Sequence, residues 1–260
     1  MAGAQRPVGF APTMGALHAG HASLLRQCRE ECATVVASVF VNPLQFDEGA
    51  DLENYPRTEE ADLALCDKEG VHVVFVPDRA EIYPAGFATA IDVGPVAAEF
   101  EGAEREGHFE GVATVVMKLL HLVGPDRAYF GQKDAQQLCV IQTLVRDLDV
   151  PVEIVPVETV REEDGLALSS RNARLSSEDR KQATNLCRGL QRARDAWDSG
   201  ERYPQELAAA ATWEGLDYDY CACVDPVTFR ALADTVQGSV RIIVAARVGP
   251  VRLIDNLLLT

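Results

Sequence analysis

The 260-residue chain is 47% hydrophobic and 25% charged, an ordinary globular balance with room for one large domain or two modest ones. Its formal net charge of −16 argues against the broad basic face on which nucleic-acid affinity depends, and no apolar run reaches the roughly 18 residues of a membrane helix. The N-terminus, MAGAQRPVGFAP, has no signal-peptide pattern, so a cytoplasmic location with no membrane partner is expected.

Short runs rich in Val and aromatics at 8–11, 34–41, 71–77, 127–130 and 152–157 read as buried strands. Amphipathic stretches at 21–32, 58–70, 111–123 and 133–149 read as the helices between them. That alternation predicts βαβ units and an α/β fold: a Rossmann-like parallel sheet with both faces covered. After residue 163 the style changes. A charged helix is expected at 176–199, opened by Ser-Ser-Glu-Asp with its capping and first-turn acidic residues. Strands follow at 218–224, 239–248 and 251–258, which predicts a smaller α+β C-terminal domain. The expected domains are therefore 1–163 and 164–260. Seven cysteines without a CxxC pair read as buried free thiols rather than zinc ligands or disulfides. Glu59, Glu60 and Asp62 read as a solvated helix face, and no metal-ligand cluster is evident.

Four segments carry chemistry, three of them at expected strand ends. Pro12-Thr13-Met14-Gly15-Ala16-Leu17-His18-Ala19-Gly20-His21 joins the first strand to the first helix. Gly15 permits a tight turn, Gly20 lets a ligand approach the backbone, and a helix start offers N–H groups to phosphate. His18 and His21, three apart, can both face that pocket, each as a neutral ring donating one N–H. Asn42-Pro43-Leu44-Gln45-Phe46 follows the second strand; Gln45 suits a hydroxyl or carboxylate, with Met14 and Phe46 as an apolar wall. Gly131-Gln132-Lys133-Asp134 lies at another strand end: the glycine allows close approach, the lysine is a point charge for phosphate, and the aspartate can accept from ribose hydroxyls. Leu168-Ser169-Ser170-Arg171-Asn172 combines two hydroxyls with a guanidinium that pairs well with phosphate. Each piece alone is common, and a plain capped turn accounts for the last equally well.

Together these motifs closely resemble the pantothenate synthetase (pantoate–β-alanine ligase) family, nucleotidyltransferases with an HxGH-type motif. The match continues through Tyr55-Pro56-Arg57-Thr58, Gly107-His108-Phe109 and Arg252-Leu253-Ile254-Asp255-Asn256. Ala19 stands where the family usually has glutamate, and Glu106 where it usually has proline. The resemblance implies that Met14, Gly15, His18, Gly20, His21, Gly131, Lys133, Asp134, Val160, Leu168, Ser169, Ser170 and Arg171 serve ATP. It implies that Gln45 and Gln137 hold pantoate, with Asn42 supporting them, and that His18, His21 and Lys133 assist catalysis. ATP as substrate with Mg2+, β-alanine as the second substrate, a C-terminal lid and a homodimer are further implications. A different nucleotidylyltransferase would share the histidines but want a basic pocket where Gln45 and Gln137 stand. An ATP-sensing module without catalysis would have no need of the full set His18, His21, Lys133 and Arg171.

Overall fold

The structure is a computed structural model and describes residues 3–46, 52–53 and 55–260. The N-terminal stretch read above for leader character begins with Met1 and Ala2, which lie outside the described residues. Two compact units are present: Met1–Gln132 with Gln136–Glu158, and Lys133–Ala135 with Thr159–Thr260.

The first unit alternates β1 (Val8–Thr13), α1 (Ala19–Glu31), β2 (Thr34–Val39), α2 (Glu59–Lys68) and β3 (Val73–Phe75). The short helices α3 (Arg79–Ile82) and α4 (Glu101–Glu104) precede α5 (His108–Val123), β4 (Arg127–Gly131), α6 (Ala135–Asp147) and β5 (Glu153–Val157). The strands form one sheet in the order β3-β2-β1-β4-β5, every neighbouring pair parallel. Central strands must be apolar on both faces in such a sheet, and Val8, Phe10, Ala11, Val35, Val36 and Ala37 are all buried. Helix α5 is buried nearly all round, from Phe109 through Val123, and with Val8, Phe10, Phe130 and Ile141 it forms the main core of this unit. Strand order reverses between β1 and β4, whose ladder holds only Gly9↔Arg127 and Phe10↔Ala128. Ligands of open α/β sheets bind at the carboxyl ends of the strands at such a switch point.

Element edges differ from the sequence reading for local reasons. The second strand stops at Val39, because Pro43, which has no N–H to give a ladder, opens a 3-10 turn at Pro43–Gln45. The third shrinks to three residues with Val73 39% exposed, as expected of an edge strand. Helix α5 starts three residues earlier than its apolar run, at His108, and α1 starts at Ala19 with His18 as its cap.

In the second unit α7 (Ser177–Asp198) and α8 (Pro204–Ala211) pack on an antiparallel sheet of β6 (Asp217–Val224), β7 (Val240–Val248) and β8 (Val251–Leu259). Its own core gathers Leu186, Leu190, Trp197, Leu207, Ile242, Val244 and Leu253. Helix α8 was not legible beforehand: Pro at its first turn and a run of alanines give no amphipathic stripe. All seven cysteines are free thiols; five are buried, and Cys187 and Cys221 are half-buried.

Candidate active site

At the carboxyl end of β1 the chain turns through Gly15 (φ +81°) and Ala16 (φ +50°) before α1 begins. The first is a conformation glycine takes without strain, and a Cβ there would lie 2.9 Å from Asp62 Oδ2. His18 caps α1 in extended conformation, and its Nδ1 accepts the Gly20 N–H at 3.1 Å. His21 returns the contact: its Nδ1 accepts the His18 N–H at 3.2 Å. The rings sit 4.3 Å apart, centroid to centroid. Because each Nδ1 is an acceptor, each ring carries its proton on Nε2, so two neutral imidazole donors stand at one helix N-terminus. The first turn of α1 itself holds no acidic residue, with Ala19 between the two histidines.

Asp62 corrects the sequence reading. Glu59 and Glu60 are exposed as expected, but Asp62 is only 2% exposed and faces the turn. Its carboxylate accepts the Ala16 N–H at 3.0 Å and the Leu17 N–H at 2.7 Å.

Beside β2, Asn42 organises the second motif. Its Oδ1 accepts the Leu44 N–H and the Tyr83 hydroxyl, the latter at 2.8 Å. Its Nδ2 donates to Gln45 Oε1 and to the Gly111 carbonyl, both at 3.0 Å. With its Oε1 so occupied, Gln45 directs Nε2 toward the Met14 sulfur at 3.0 Å. The α5 backbone approaches closely here; a Cβ on Gly111 would lie 2.2 Å from the Leu44 carbonyl oxygen, which only glycine tolerates. His108 Nδ1–H donates to the Gln45 carbonyl at 2.8 Å, fixing the loop from the other side. Burial raises the Tyr83 pKa well above the usual phenol range, so its hydroxyl stays a donor. The sequence reading missed Tyr83 as a support, and placed His108 in the family match without a role. Phe46, next to Gln45 in sequence, packs edge-on against Tyr55 at 5.6 Å between centroids. Gln137 lies half-buried on α6, and its neighbour Gln136 is buried, holding Glu101 N–H and the Val96 and Glu99 carbonyls. Gly131 closes β4.

The second unit gathers the remaining expected ATP residues around β8. Leu168 N–H donates to the Val160 carbonyl at 2.9 Å, so those two residues face each other across a narrow hairpin. Arg161 forms a two-pronged pair with buried Asp255, at 2.6 and 2.9 Å. The next residue, Asn256, donates to the Lys133 carbonyl at 2.9 Å. Lys133 is half-buried and Asp134 exposed. Ser169 caps a 3-10 turn, Ser170–Arg174, by accepting the Arg171 N–H at 3.2 Å, and Ser170 and Arg171 are exposed. Asn172 ties that turn to Glu162 and to the Ala167 carbonyl, at 2.8 and 3.0 Å. Arg180 grips Glu162 with two bonds of 2.9 and 2.7 Å and holds its carboxyl below the usual range. Among the described residues no group of three or more His, Cys, Asp or Glu is assembled to hold a metal.

A five-stranded parallel sheet with a histidine-capped helix after its first strand defines a doubly wound α/β protein with its candidate site at the switch point. Comparison with known proteins makes this specific. The family model for pantoate–β-alanine ligase matches residues 1–258. The pantothenate synthetase of Acidobacterium capsulatum is 51% identical over 259 residues, spanning 98% of this chain and 86% of that one. The crystal structure of the Thermus thermophilus pantothenate synthetase superposes with a TM-score of 0.91 at 52% identity, covering 97% of this chain and 93% of that one. That of the Francisella tularensis pantoate–β-alanine ligase, complexed with β,γ-ATP and β-alanine, has a TM-score of 0.79 at 36% identity, with 96% and 89% covered. The chain belongs to the pantoate–β-alanine ligase family. Its activity is that of the family, the joining of pantoate to β-alanine in pantothenate biosynthesis.

Proposed function

We propose that the ligation is driven by ATP through a pantoyl-adenylate intermediate. A pantoate carboxylate oxygen attacks the α-phosphorus and pyrophosphate leaves. The β-alanine amine then attacks the activated carbonyl, loses a proton, and AMP departs as the amide forms. The observation that carries this reading is the reciprocal cap of His18 and His21. It orients two neutral N–H donors at a helix N-terminus, the place where developing phosphoryl charge is best stabilised without a protein nucleophile. The ATP and β-alanine held by the Francisella relative support the same assignment of substrates.

On this reading His18, His21, Met14, Gly15, Gly20, Gly131, Lys133, Asp134, Val160, Leu168, Ser169, Ser170 and Arg171 serve the nucleotide. Gln45 and Gln137 hold pantoate, and Asn42 orients Gln45. Mg2+ enters as the counter-ion of ATP, which supplies ligands of its own. Homodimeric assembly and a cytoplasmic location belong to the same proposal; no described helix is long and apolar enough to cross a membrane.

Isotope exchange tests the intermediate. Labelled pyrophosphate is expected to enter ATP when pantoate is present and β-alanine absent. Exchange that needs β-alanine, or that runs without pantoate, rules out the two-step route.

A further inference from the structure

We propose that Asp62 is a positioning residue for the ligase reaction, its buried carboxylate fixing the turn from which His18 and His21 present their Nε2–H donors. The proposal rests on the reading of those histidines as phosphate donors. Asp62 sits on α2, more than forty residues away in sequence from the turn it holds. Oδ2 accepts the Ala16 N–H at 3.0 Å, and Oδ1 accepts both the Leu17 N–H at 2.7 Å and the Thr58 hydroxyl at 3.1 Å. A carboxylate this deeply buried is costly unless hydrogen-bonded, and an apolar side chain would close α2 over the turn at less cost. What an apolar side chain lacks is acceptors for two successive backbone N–H groups.

Those two amides have a particular character. They follow residues of positive φ, Gly15 and Ala16, and successive N–H groups in such a turn form a concavity that binds anions. Here the anion is built into the chain. With Ala16 and Leu17 engaged by Asp62, these two amides are occupied, and the proposed phosphate contacts fall to the α1 terminus and the two imidazoles. Ala16 is an L-residue in the left-handed region, a conformation that persists only where its surroundings enforce it, and the Asp62 bond to its N–H does so. His18, the cap of α1, follows Leu17 directly, so a shift of the turn moves both rings.

Asparagine at 62 keeps the volume but offers one acceptor, and turns an amine toward one of the two N–H groups. In full-length enzyme Asp62→Asn is expected to lower kcat/KM for ATP on the order of 10–100-fold, the scale of roughly ångström misplacement. KM for β-alanine should stay within about twofold. In a His18→Ala/His21→Ala background the same substitution should cost less than about threefold, because residues acting through one another are non-additive. Native kcat/KM in Asp62→Asn, or its full loss repeated in the double-histidine background, overturns the proposal alone. A His18→Ala/His21→Ala enzyme with native kcat/KM overturns the histidine reading itself, and the proposal with it. Should Asp62→Asn fail to fold, Thr58→Val removes only the third hydrogen bond. It is expected to give a smaller loss that vanishes in the double-histidine background; no loss from Thr58→Val in that event overturns the proposal.

Discussion

Replacing Lys133 with alanine is expected to lower kcat on the order of 10²–10³-fold, ~3–4 kcal/mol of transition-state stabilisation, with little change in Tm. The chain holds only four lysines, and this one lies two residues beyond the end of β4, just before α6. Its backbone is tied down: Asn256 donates to its carbonyl, and the preceding residue, Asp255, is locked by Arg161. A charge so anchored and assigned to phosphate should act most strongly where negative charge develops during displacement at the α-phosphorus. Single-turnover measurement of pyrophosphate release reads this step directly. Near-native turnover in Lys133→Ala would remove the residue from the mechanism.

The second large effect concerns pantoate. In the proposed pocket the Gln45 amide is already oriented, because Asn42 occupies its Oε1 and leaves Nε2 pointing at the Met14 thioether. A thioether is a weak acceptor, so a substrate oxygen should displace it readily. A site built to bond a hydroxyl rejects the analogue lacking it, since its own polar groups are then left unpaired. The 2-deoxy analogue of pantoate is therefore expected to lose several orders of magnitude in kcat/KM, up to ~10⁴-fold. An analogue lacking one methyl should lose only ~1–3 kcal/mol. Gln45→Ala should shrink that discrimination while leaving KM for ATP nearly unchanged. Equal penalties for the two analogues, or a Gln45→Ala enzyme weakened toward ATP and not pantoate, would show the pocket to be misassigned.

Much of this was legible in the sequence because the signals are local. Buried β-branched runs between amphipathic stretches specify a parallel sheet, and the glycines and histidines after β1 mark a tight turn into a helix. Asp62 was not legible. Its place beside Glu59 and Glu60 reads as a solvated face, and only the fold brings its carboxylate against Ala16 and Leu17. Asn256 and Tyr83 escaped for the same reason: they act on Lys133 and Asn42, whose numbers lie far from theirs, through bonds that no spacing rule encodes. The first-turn histidines show the converse. Their separation of three predicted a shared face, and the structure adds that each caps the other's backbone, which sets the tautomer.

The most direct measurement of the central claim is AMP release from ATP by the purified chain, with each small substrate omitted in turn. Sustained AMP formation is expected only when pantoate and β-alanine are both present, in equal amount to the amide product. AMP production that is indifferent to either substrate, or ADP in place of AMP, would contradict the account.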